Sequence, residues 1–277
     1  MSNANNPGAA LDFSGKHVFI AGGGSGINLA IGEAFARQGA KVVLVSRTAE
    51  RVEAAAAGLR ALGAEALGLS ADVRDAEAIR AALATAHETF GPIDVLISGA
   101  AGNFLASATG MSVNGFRTVI DIDLNGTFHV LRGAHEFLRK PGAAVLNISA
   151  PQAFNPTAYQ AHVCAAKAGI DMLTRVLAVE WGPDGIRINS LVPGPIGDTE
   201  GIRRLAPSAD TLKVMEQTVP MRRLGRTDEI ASMATVLCSP LASFVTGAVL
   251  TVDGGSSLLG GRDYTDAYAA SQRARAQ

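Results

Sequence analysis

A glycine-rich turn near the amino end holds the residues whose types and spacing most clearly suggest chemistry. Residues 22–28 read GGGSGIN; they follow a short apolar run that ends at Ala21 and open a stretch with helical spacing. Glycines at such a turn let the backbone approach a pyrophosphate, whose charge is favoured at the amino end of a helix. The turn predicts a dinucleotide site, with a merely tight strand-to-helix turn as the alternative. The candidate contacts are Gly22, Gly24, Ser25, Gly26 and Ile27.

The residue that would select the nucleotide stands about 20 residues further along, at the end of the second predicted strand. A carboxylate at this place binds the ribose hydroxyls of NAD, whereas this chain has Val45, Ser46 and Arg47. A guanidinium suits a 2′-phosphate because it makes two charge-assisted hydrogen bonds. We therefore expect NADPH rather than NADH, with a solvated residue at a helix start as the alternative for Arg47.

Short apolar runs alternate with longer helical stretches along the chain. Seven runs rich in Val, Ile and Leu, without polar alternation, are predicted to be buried strands. They are His17–Ala21, Val42–Val45, Ala66–Leu69, Val95–Ser98, Ala144–Ile148, Ile186–Leu191 and Val249–Val252. The predicted helices are Ile27–Gln38, Arg51–Leu62, Ala76–Thr89, Ser112–Leu138, Ala158–Trp181 and Asp228–Cys238. The alternation indicates an α/β fold: a single Rossmann-like domain with a doubly wound parallel sheet flanked by helices.

The boundaries of this domain follow from the ends of the pattern. We expect a flexible segment over residues 1–13, a nucleotide-binding domain over 14–260 and a carboxyl-terminal tail over 261–277. The connection around residues 194–220 is longer than a tight turn and carries several glycines and prolines. Long loops in compact domains are often lids, so we predict a substrate-covering flap with short helices there.

Composition limits the partners. The 277-residue chain has 48% hydrophobic and 18% charged residues and a formal net charge of -1, so no basic face is expected for nucleic acid. The first ten residues lack the apolar core of a secretory signal, and no apolar run reaches the about 18 residues that span a membrane. The histidines show no metal-ligand spacing with Cys164 and Cys238, so we expect no metal and reduced packing cysteines. Without a terminal Ser-Lys-Leu signal, the cytoplasm is the expected location.

Three further segments resemble the short-chain dehydrogenase/reductase family, and the resemblance extends over residues 14–258. Residues 98–102 (SGAAG) are similar to its turn after the fourth strand, residues 187–195 (RINSLVPGP) to its nicotinamide-side segment and residues 246–255 (TGAVLTVDGG) to its closing strand. The resemblance implies the same fold and a nicotinamide cofactor. Asn28 stands where the family usually has a glycine, and we expect the first helix to pack less tightly against the sheet there.

The family's active-site asparagine, serine, tyrosine and lysine fall here on Asp123, Ala150, Val163 and Lys167. In a ketone reductase of this family, the tyrosine hydroxyl gives a proton to the carbonyl oxygen while hydride arrives at the adjacent carbon. Val163 has no proton to give, so the general acid of carbonyl reduction is missing. We therefore expect a different reaction.

The substitution pattern resembles one branch of the family, the 2,4-dienoyl-CoA reductases, and particularly the peroxisomal type. The similar segments are residues 100–104 (AAGNF), 121–123 (DID), 162–167 (HVCAAK), 180–183 (EWGP), 193–196 (PGPI) and 199–201 (TEG). The resemblance implies that Asp123 and Lys167 form the catalytic pair for an acyl-CoA substrate and NADPH. It also implies a homotetramer that packs through the outer faces of the helices predicted over 112–138 and 158–181.

The same resemblance assigns further contacts. Lys167 is expected to bind the nicotinamide ribose, and Asp123 to orient a water. The remaining cofactor contacts are Asp72 and Val73, which resemble the family's adenine-binding pair, and Ala100, Pro193, Gly194, Ile196 and Thr199. The expected acyl-CoA contacts are Arg74, Asn103, Phe104, Ser112, Asn114 and Arg204. A helix cap is the alternative for Asp72, and ordinary surface or core positions are the alternatives for the acyl-CoA set.

A conjugated thioester would make the missing tyrosine dispensable. If hydride enters the far end of a dienoyl thioester, negative charge develops on the thioester oxygen, several bonds away, and the proton finally goes to carbon. Such a site needs a hydrogen-bond donor at that oxygen, whose loss typically costs about 3 to 4 kcal/mol. It also needs a water near the α carbon. Asn103 resembles a residue that contacts the thioester in the mitochondrial branch.

Two other functions stay open. The protein could be a carbonyl or 3-ketoacyl thioester reductase that uses Tyr159 or water as the acid, or a catalytically inactive NADPH-binding protein. Tyr159 lies four residues before Val163, but a loop or interface aromatic is the favoured interpretation. His162 has no partner pattern and is expected to be structural.

Overall fold

The computed structural model describes residues 11–199, 202, 208–260 and 264–275, which surround one seven-stranded sheet. Its strands are β1 (His17–Ala21), β2 (Lys41–Ser46), β3 (Ala66–Ser70), β4 (Val95–Ser98), β5 (Ala144–Ile148), β6 (Arg187–Pro193) and β7 (Val249–Val252). All neighbouring strands are parallel, in the order β3-β2-β1-β4-β5-β6-β7. The chain moves outward from β1 to β3 and then crosses back to β4, so the predicted doubly wound fold is confirmed.

Nine α-helices of at least eight residues lie in the described part of the chain. They are α1 (Gly26–Arg37), α2 (Ala49–Ala61), α3 (Ala76–Phe90), α4 (Val113–Ile120), α5 (Gly126–Ala134), α6 (Ala161–Trp181), α7 (Ala209–Gln217), α8 (Thr227–Cys238) and α9 (Thr265–Arg275). None of the described helices has the length and hydropathy needed to cross a membrane.

Strand residues alternate between two apolar cores, one on each face of the sheet. Val18 and Ile20 of β1 pack in the core that α1, α2 and α8 cover. Phe19 and Ala21 of the same strand pack in the core that α3, α5 and α6 cover. Because both faces are covered by helices, most residues of the central strands are apolar, with His17, Ser98 and Asn147 as polar exceptions, which explains the runs of Val, Ile and Leu.

The ordered chain begins earlier than the sequence predicts. Phe13 falls within the segment predicted to be flexible, yet it is buried and lies edge-to-face on Phe35 of α1, with ring centroids 4.7 Å apart. The prediction is wrong at this residue because an aromatic ring next to a core edge gains more from burial than the backbone loses in freedom.

The helix predicted over residues 112–138 is interrupted where the chemistry lies. Residues Asp121–Asn125 form a π-helical turn between α4 and α5. An extra residue in such a turn changes the direction of the side chains that follow, and π turns frequently occur at functional sites. Gly126, which follows the π turn, packs against Val73. A side chain would not fit there, because an ideal Cβ on Gly126 would lie 2.7 Å from Val73 Cγ2.

Two helices that follow β6 lie in segments where the sequence predicts a flap and a tail. Within the predicted flap, α7 begins with a capping box between Ser208 and Thr211. The sequence predicts only a tail after residue 260, but α9 packs there. The ring of Tyr268 stacks on Tyr159 at 4.4 Å, which holds α9 beside the loop that precedes α6.

The opposite end of the sheet is held by a buried carboxylate at the start of β4. Asp94 accepts hydrogen bonds from Lys16 Nζ at 3.1 Å and the His17 amide at 3.0 Å, and it pairs with Arg139. Burial alone would raise the pKa of Asp94, but these hydrogen bonds outweigh it and lower the pKa. Asp94 thus joins β1, β4 and the segment before β5.

We expect Asp94→Asn to lower the free energy of unfolding at neutral pH by about 2 kcal/mol, because partly exposed cations lose their counter-charge. A carboxylate with a lowered pKa stabilises the fold above its unfolded pKa of about 3.9, and that contribution disappears as the pH falls through the folded pKa. Urea titrations of both proteins at pH 7 and at about pH 3 measure this. An equal difference at both pH values would contradict it.

Candidate active site

A cleft of about 480 Å³ lies at the carboxyl ends of β1, β4, β5 and β6. It adjoins a second pocket of about 280 Å³ toward β2 and β3, and both contain Asn28, Gly99 and Ala101. The crevice is at the point where the strand order reverses, the usual ligand site of open parallel sheets. The residues predicted for catalysis and cofactor binding all line these two spaces. In the larger cleft these are Gly26, Ile27, Asp123, Lys167, Pro193, Gly194, Ile196 and Thr199. In the second pocket they are Gly22, Gly24, Ser25, Arg47, Asp72, Val73 and Ala100.

A buried ion pair stands at the centre of the larger cleft. Lys167 Nζ lies 3.3 Å from Asp123 Oδ2 and donates a hydrogen bond to the Ile148 carbonyl at 3.1 Å. The Gly102 amide donates to Asp123 Oδ1 at 2.7 Å. Asp123 has no exposed surface and Lys167 is 5% exposed. The ends of β4 and β5, the π turn and α6 therefore meet at these two side chains.

Ala150 and Val163, which replace the serine and tyrosine of ketone reductases, line the same cleft. Ala150 follows β5, and Val163 lies one turn before Lys167 on α6. Val163 is 4% exposed, so an apolar surface stands where ketone reductases of this kind present a hydroxyl. This wall can exclude water from a substrate, but it has no proton to give.

Amide side chains form the polar part of the cleft wall. Gln152 Nε2 donates to Gln160 Oε1, and Gln160 Nε2 donates to Asn103 Oδ1, each at 2.9 Å. Sequence reasoning singled out Asn103 alone. Gln152 and Gln160 carried no signal, because their pairing depends on the turn after β5 folding back against the start of α6.

The glycine turn fits a dinucleotide phosphate because its backbone is uncovered by side chains. Gly22 has φ +83°, and an ideal Cβ there would lie 2.7 Å from the Ala100 amide nitrogen. Asn28 Nδ2 donates to the carbonyls of Gly22 at 3.2 Å and Gly99 at 2.8 Å. We expected Asn28 to loosen the packing of α1, but its side chain instead fastens the turn after β1 to the turn after β4.

The second pocket is lined by two guanidinium groups. Arg47 and Arg51 both line it. Arg51 was not among the predicted site residues; it lies in the first turn of α2, which begins directly after the loop that carries Arg47.

The side chains of Asp72 and Arg74 form an ion pair with each other. Arg74 donates to both carboxylate oxygens of Asp72, and the side-chain hydrogen bond from Arg74 lowers the pKa of Asp72. Asp75, not Asp72, caps α3 by accepting from two helical amides, so the alternative of a helix cap for Asp72 is wrong. The guanidinium predicted to contact acyl-CoA is thus paired beside the adenine-side pocket.

Most of the other residues predicted for acyl-CoA lie outside the larger cleft as the described residues form it. Phe104 packs edge-to-face on His162, with ring centroids 4.3 Å apart. Ser112 caps α4 by accepting from the Gly115 amide at 3.0 Å, and Asn114 is exposed on that helix. Arg204 lies outside the described residues.

Tyr159, the alternative acid, and His162 both have structural surroundings. Tyr159 stacks on Tyr268 of α9 and its hydroxyl lies 3.4 Å from Thr265 Oγ1. His162 is fully buried and accepts a hydrogen bond from the Val163 amide; burial lowers its pKa, against weaker raising effects. Tyr264, which the sequence did not suggest, lines the larger cleft.

The two cysteines differ in their surroundings. Cys238 is buried at the end of α8, and burial raises its pKa to about 12. Its thiol is therefore unreactive at neutral pH. Cys164 is half-buried on α6.

Comparison with known proteins agrees with this geometry. A family model described as enoyl-(acyl carrier protein) reductase matches residues 21–257. The chain belongs to the short-chain dehydrogenase/reductase family. A crystal structure of a short-chain dehydrogenase from Bacillus anthracis superposes with a TM-score of 0.81 and 38% identity, covering 89% of this chain and 97% of that one.

Relatives within this family carry more specific names. The chain is 50% identical over 245 residues to a peroxisomal 2,4-dienoyl-CoA reductase of Pongo abelii, covering 88% of this chain and 84% of the relative. It is 42% identical over 252 residues to one of Saccharomyces cerevisiae, covering 90% and 86%. A probable 2,4-dienoyl-CoA reductase of Bacillus subtilis is 38% identical over 246 residues, covering 88% and 97%. The family implies a nicotinamide cofactor, which the glycine turn and the two pockets fit.

We expect Gly99→Ala to weaken binding of the nicotinamide cofactor about 10-fold and to cost about 1–2 kcal/mol of stability, because the added Cβ displaces Asn28 and its two hydrogen bonds. An ideal Cβ at Gly99 would lie 2.4 Å from Asn28 Oδ1. The matched control is Asn28→Gly with Gly99→Ala, which removes the clash and should bind the cofactor more tightly than Gly99→Ala alone. Fluorescence titration and thermal melting measure both effects; identical behaviour of the two variants would disprove the clash.

Proposed function

We propose that the protein catalyses the NADPH-dependent reduction of 2,4-dienoyl-CoA to 3-enoyl-CoA in the degradation of unsaturated fatty acids. The observation that carries this proposal is the ion pair of Asp123 with Lys167, whose Oδ2 and Nζ atoms are 3.3 Å apart. In the same cleft, Val163 and Ala150 stand where the family has its active-site tyrosine and serine. Relatives up to 50% identical over most of the chain are named 2,4-dienoyl-CoA reductases with a (3E)-enoyl-CoA product. The chain is thus assigned to oxidoreductases that act on a CH–CH group.

NADPH is proposed as the cofactor because Arg47 and Arg51 line the pocket toward β2, which has no acidic side chain apart from the paired Asp72. When bound, the cofactor supplies a hydride. The glycine turn would hold its pyrophosphate at the start of α1, and Lys167 would hold its nicotinamide ribose. The contacts proposed for Pro193, Gly194, Ile196 and Thr199 follow from their place on the cleft wall.

The cleft suits a substrate whose reacting carbon is remote from its oxygen. Reduction of a 2,4-dienoyl thioester to a 3-enoyl product places the hydride on the δ carbon and the proton on the α carbon, with the remaining double bond between them. Negative charge passes meanwhile to the thioester oxygen. Asn103 is proposed to donate a hydrogen bond to that oxygen, because its Oδ1 is already engaged by Gln160 and its NH₂ group is available.

Asp123 and Lys167 are proposed to deliver the proton through a water. The Gly102 amide holds Asp123 Oδ1, and Oδ2 accepts no hydrogen bond besides its ion pair with Lys167. A water near Oδ2 would give one proton to the α carbon, and the hydroxide left behind would take a proton from the Lys167 ammonium, which solvent then restores. Lys167 is fixed by the Ile148 carbonyl and contributes positive charge to the developing enolate.

The carbonyl-reductase alternative has one specific observation in its favour. The hydroxyl-bearing Tyr264 lines the larger cleft and could supply the acid that Val163 cannot. Tyr159 does not fill this role in the structure, because its ring is stacked on Tyr268. The two functions differ in the substrate that is consumed.

A paired assay tests the function. We expect NADPH oxidation with 2,4-hexadienoyl-CoA and none with acetoacetyl-CoA. Asp123→Asn and Lys167→Met should each lower kcat at least about 100-fold, since each removes a charge from the reacting centre. Tyr264→Phe is the matched control and should retain the parent rate within about 2-fold. Consumption of acetoacetyl-CoA alone, abolished by Tyr264→Phe, would establish the alternative; NADPH binding without either activity would establish a binding protein.

The cofactor preference has its own test. Removing both charges in Arg47→Ala with Arg51→Ala should raise KM for NADPH about 100-fold, because two charge-assisted contacts to the 2′-phosphate are lost. The KM for NADH, which has no such phosphate, should change by less than about 3-fold. Equal increases for both cofactors would show that these arginines do not recognise the 2′-phosphate.

The assembly and location are also proposals. Exposed apolar side chains on the outer faces of α4, α5 and α6 suit packing between subunits of a homotetramer. They include Phe116, Phe128, Met172, Val176 and Val179. A cytoplasmic location stays a prediction, whereas several relatives are named as peroxisomal proteins. The acyl-CoA contacts predicted at Arg74, Phe104, Ser112, Asn114 and Arg204 also stay predictions.

A further inference from the structure

Two members of the amide chain in the cleft wall have no role in the mechanism above. Gln160 stands between Gln152 and Asn103, and its side chain joins them through two hydrogen bonds of 2.9 Å. Gln160 is fully buried, whereas Gln152 and Asn103 line the cleft. Burying an amide this completely is favourable only when its donor and acceptor are both paired, which Gln160 achieves.

The direction of these hydrogen bonds determines which end of Asn103 faces the cleft. An amide side chain has an acceptor oxygen and a donor nitrogen that are nearly identical in shape. The side-chain oxygen of Gln160 accepts a hydrogen bond from Gln152, so its nitrogen faces Asn103. Asn103 therefore accepts that hydrogen bond with Oδ1. The NH₂ group of Asn103 is then left free to donate. Reversal would turn a carbonyl oxygen toward the cleft, where it would repel an anionic oxygen of the substrate.

We propose that Gln160 is a positioning residue that fixes the donor polarity of Asn103 toward the thioester oxygen. This inference rests on the proposed function and deepens it, because it assigns the selectivity for an enolate-forming acyl thioester to a residue that does not line the cleft. Gln152 completes the chain by donating to Gln160, so the hydrogen bonds of the three amides run in one direction.

The substitution Gln160→Glu tests the polarity with almost no change in shape. An ionised carboxylate only accepts hydrogen bonds, so Asn103 must rotate and donate its NH₂ to it. We expect kcat with 2,4-hexadienoyl-CoA to fall about 100-fold at high pH. The loss should shrink as the pH falls, because the protonated carboxyl can again donate to Asn103. The readout is the ratio of variant to parent kcat from about pH 5 to about pH 9.

The matched control is Gln160→Met, which fills a similar volume but neither accepts nor donates. Asn103 is then free to choose its orientation, and we expect a pH-independent loss of only about 5- to 10-fold. A merely structural role for Gln160 predicts no pH dependence in either variant. NADPH affinity and melting temperature, measured on all variants, establish that the cofactor site and the fold persist.

A double-mutant cycle separates an effect through Asn103 from a direct effect of charge. On an Asn103→Ala background, Gln160→Glu should lower kcat by less than about 2-fold, because the group that it would reverse is absent. An equal loss with and without Asn103, or a flat pH ratio for Gln160→Glu, would overturn the inference.

The same measurements distinguish this inference from the proposed function. Failure of the parent protein to oxidise NADPH with hexadienoyl-CoA overturns both. An active parent that is impaired by Asn103→Ala, but unaffected by either substitution at Gln160, overturns the positioning role alone and leaves the proposed function standing.

Discussion

The ion pair of Asp123 with Lys167 is the constraint on which the site depends. Two opposite charges removed from water are tolerated only when each has further partners. Here Gly102 and Ile148 supply those partners from the turn after β4 and the end of β5. The pair therefore requires the sheet, the π turn and α6 to hold a fixed relation to one another. The geometry of the pair and the packing at this end of the sheet thus depend on the same contacts.

The chemistry follows as much from what surrounds the pair as from the pair itself. Ala150 and Val163 give the cleft an apolar wall at the place where other members of the family present hydroxyls. The same cleft also carries polar side chains, among them Asn103, which accepts a hydrogen bond from the buried Gln160. A site of this kind separates the group that stabilises charge on oxygen from the group that governs the proton, which matches a reaction whose two reacting carbons are three bonds apart.

Sequence reasoning succeeded where a signal is local. The strands were found because helices on both faces make them continuously apolar, and the pocket residues because strand ends of a parallel sheet converge. It failed at Asp121–Asn125, since the apolar spacing continues through the π turn. It also failed at Thr265–Arg275, a mostly polar helix whose contacts to the rest of the chain include the stacking of Tyr268 on Tyr159. The bonds of Asn28 and Gln160 depend on tertiary proximity that no local pattern encodes.

The position of α9 has a practical consequence for handling the protein. Tyr264 lines the cleft just before this helix begins, and Tyr268 is stacked one turn later. Anything fused beyond the helix is consequently attached to an element whose first residues border the larger cleft. A purification tag or fluorescent reporter belongs at the amino end, where Phe13 packs against Phe35 of the first helix.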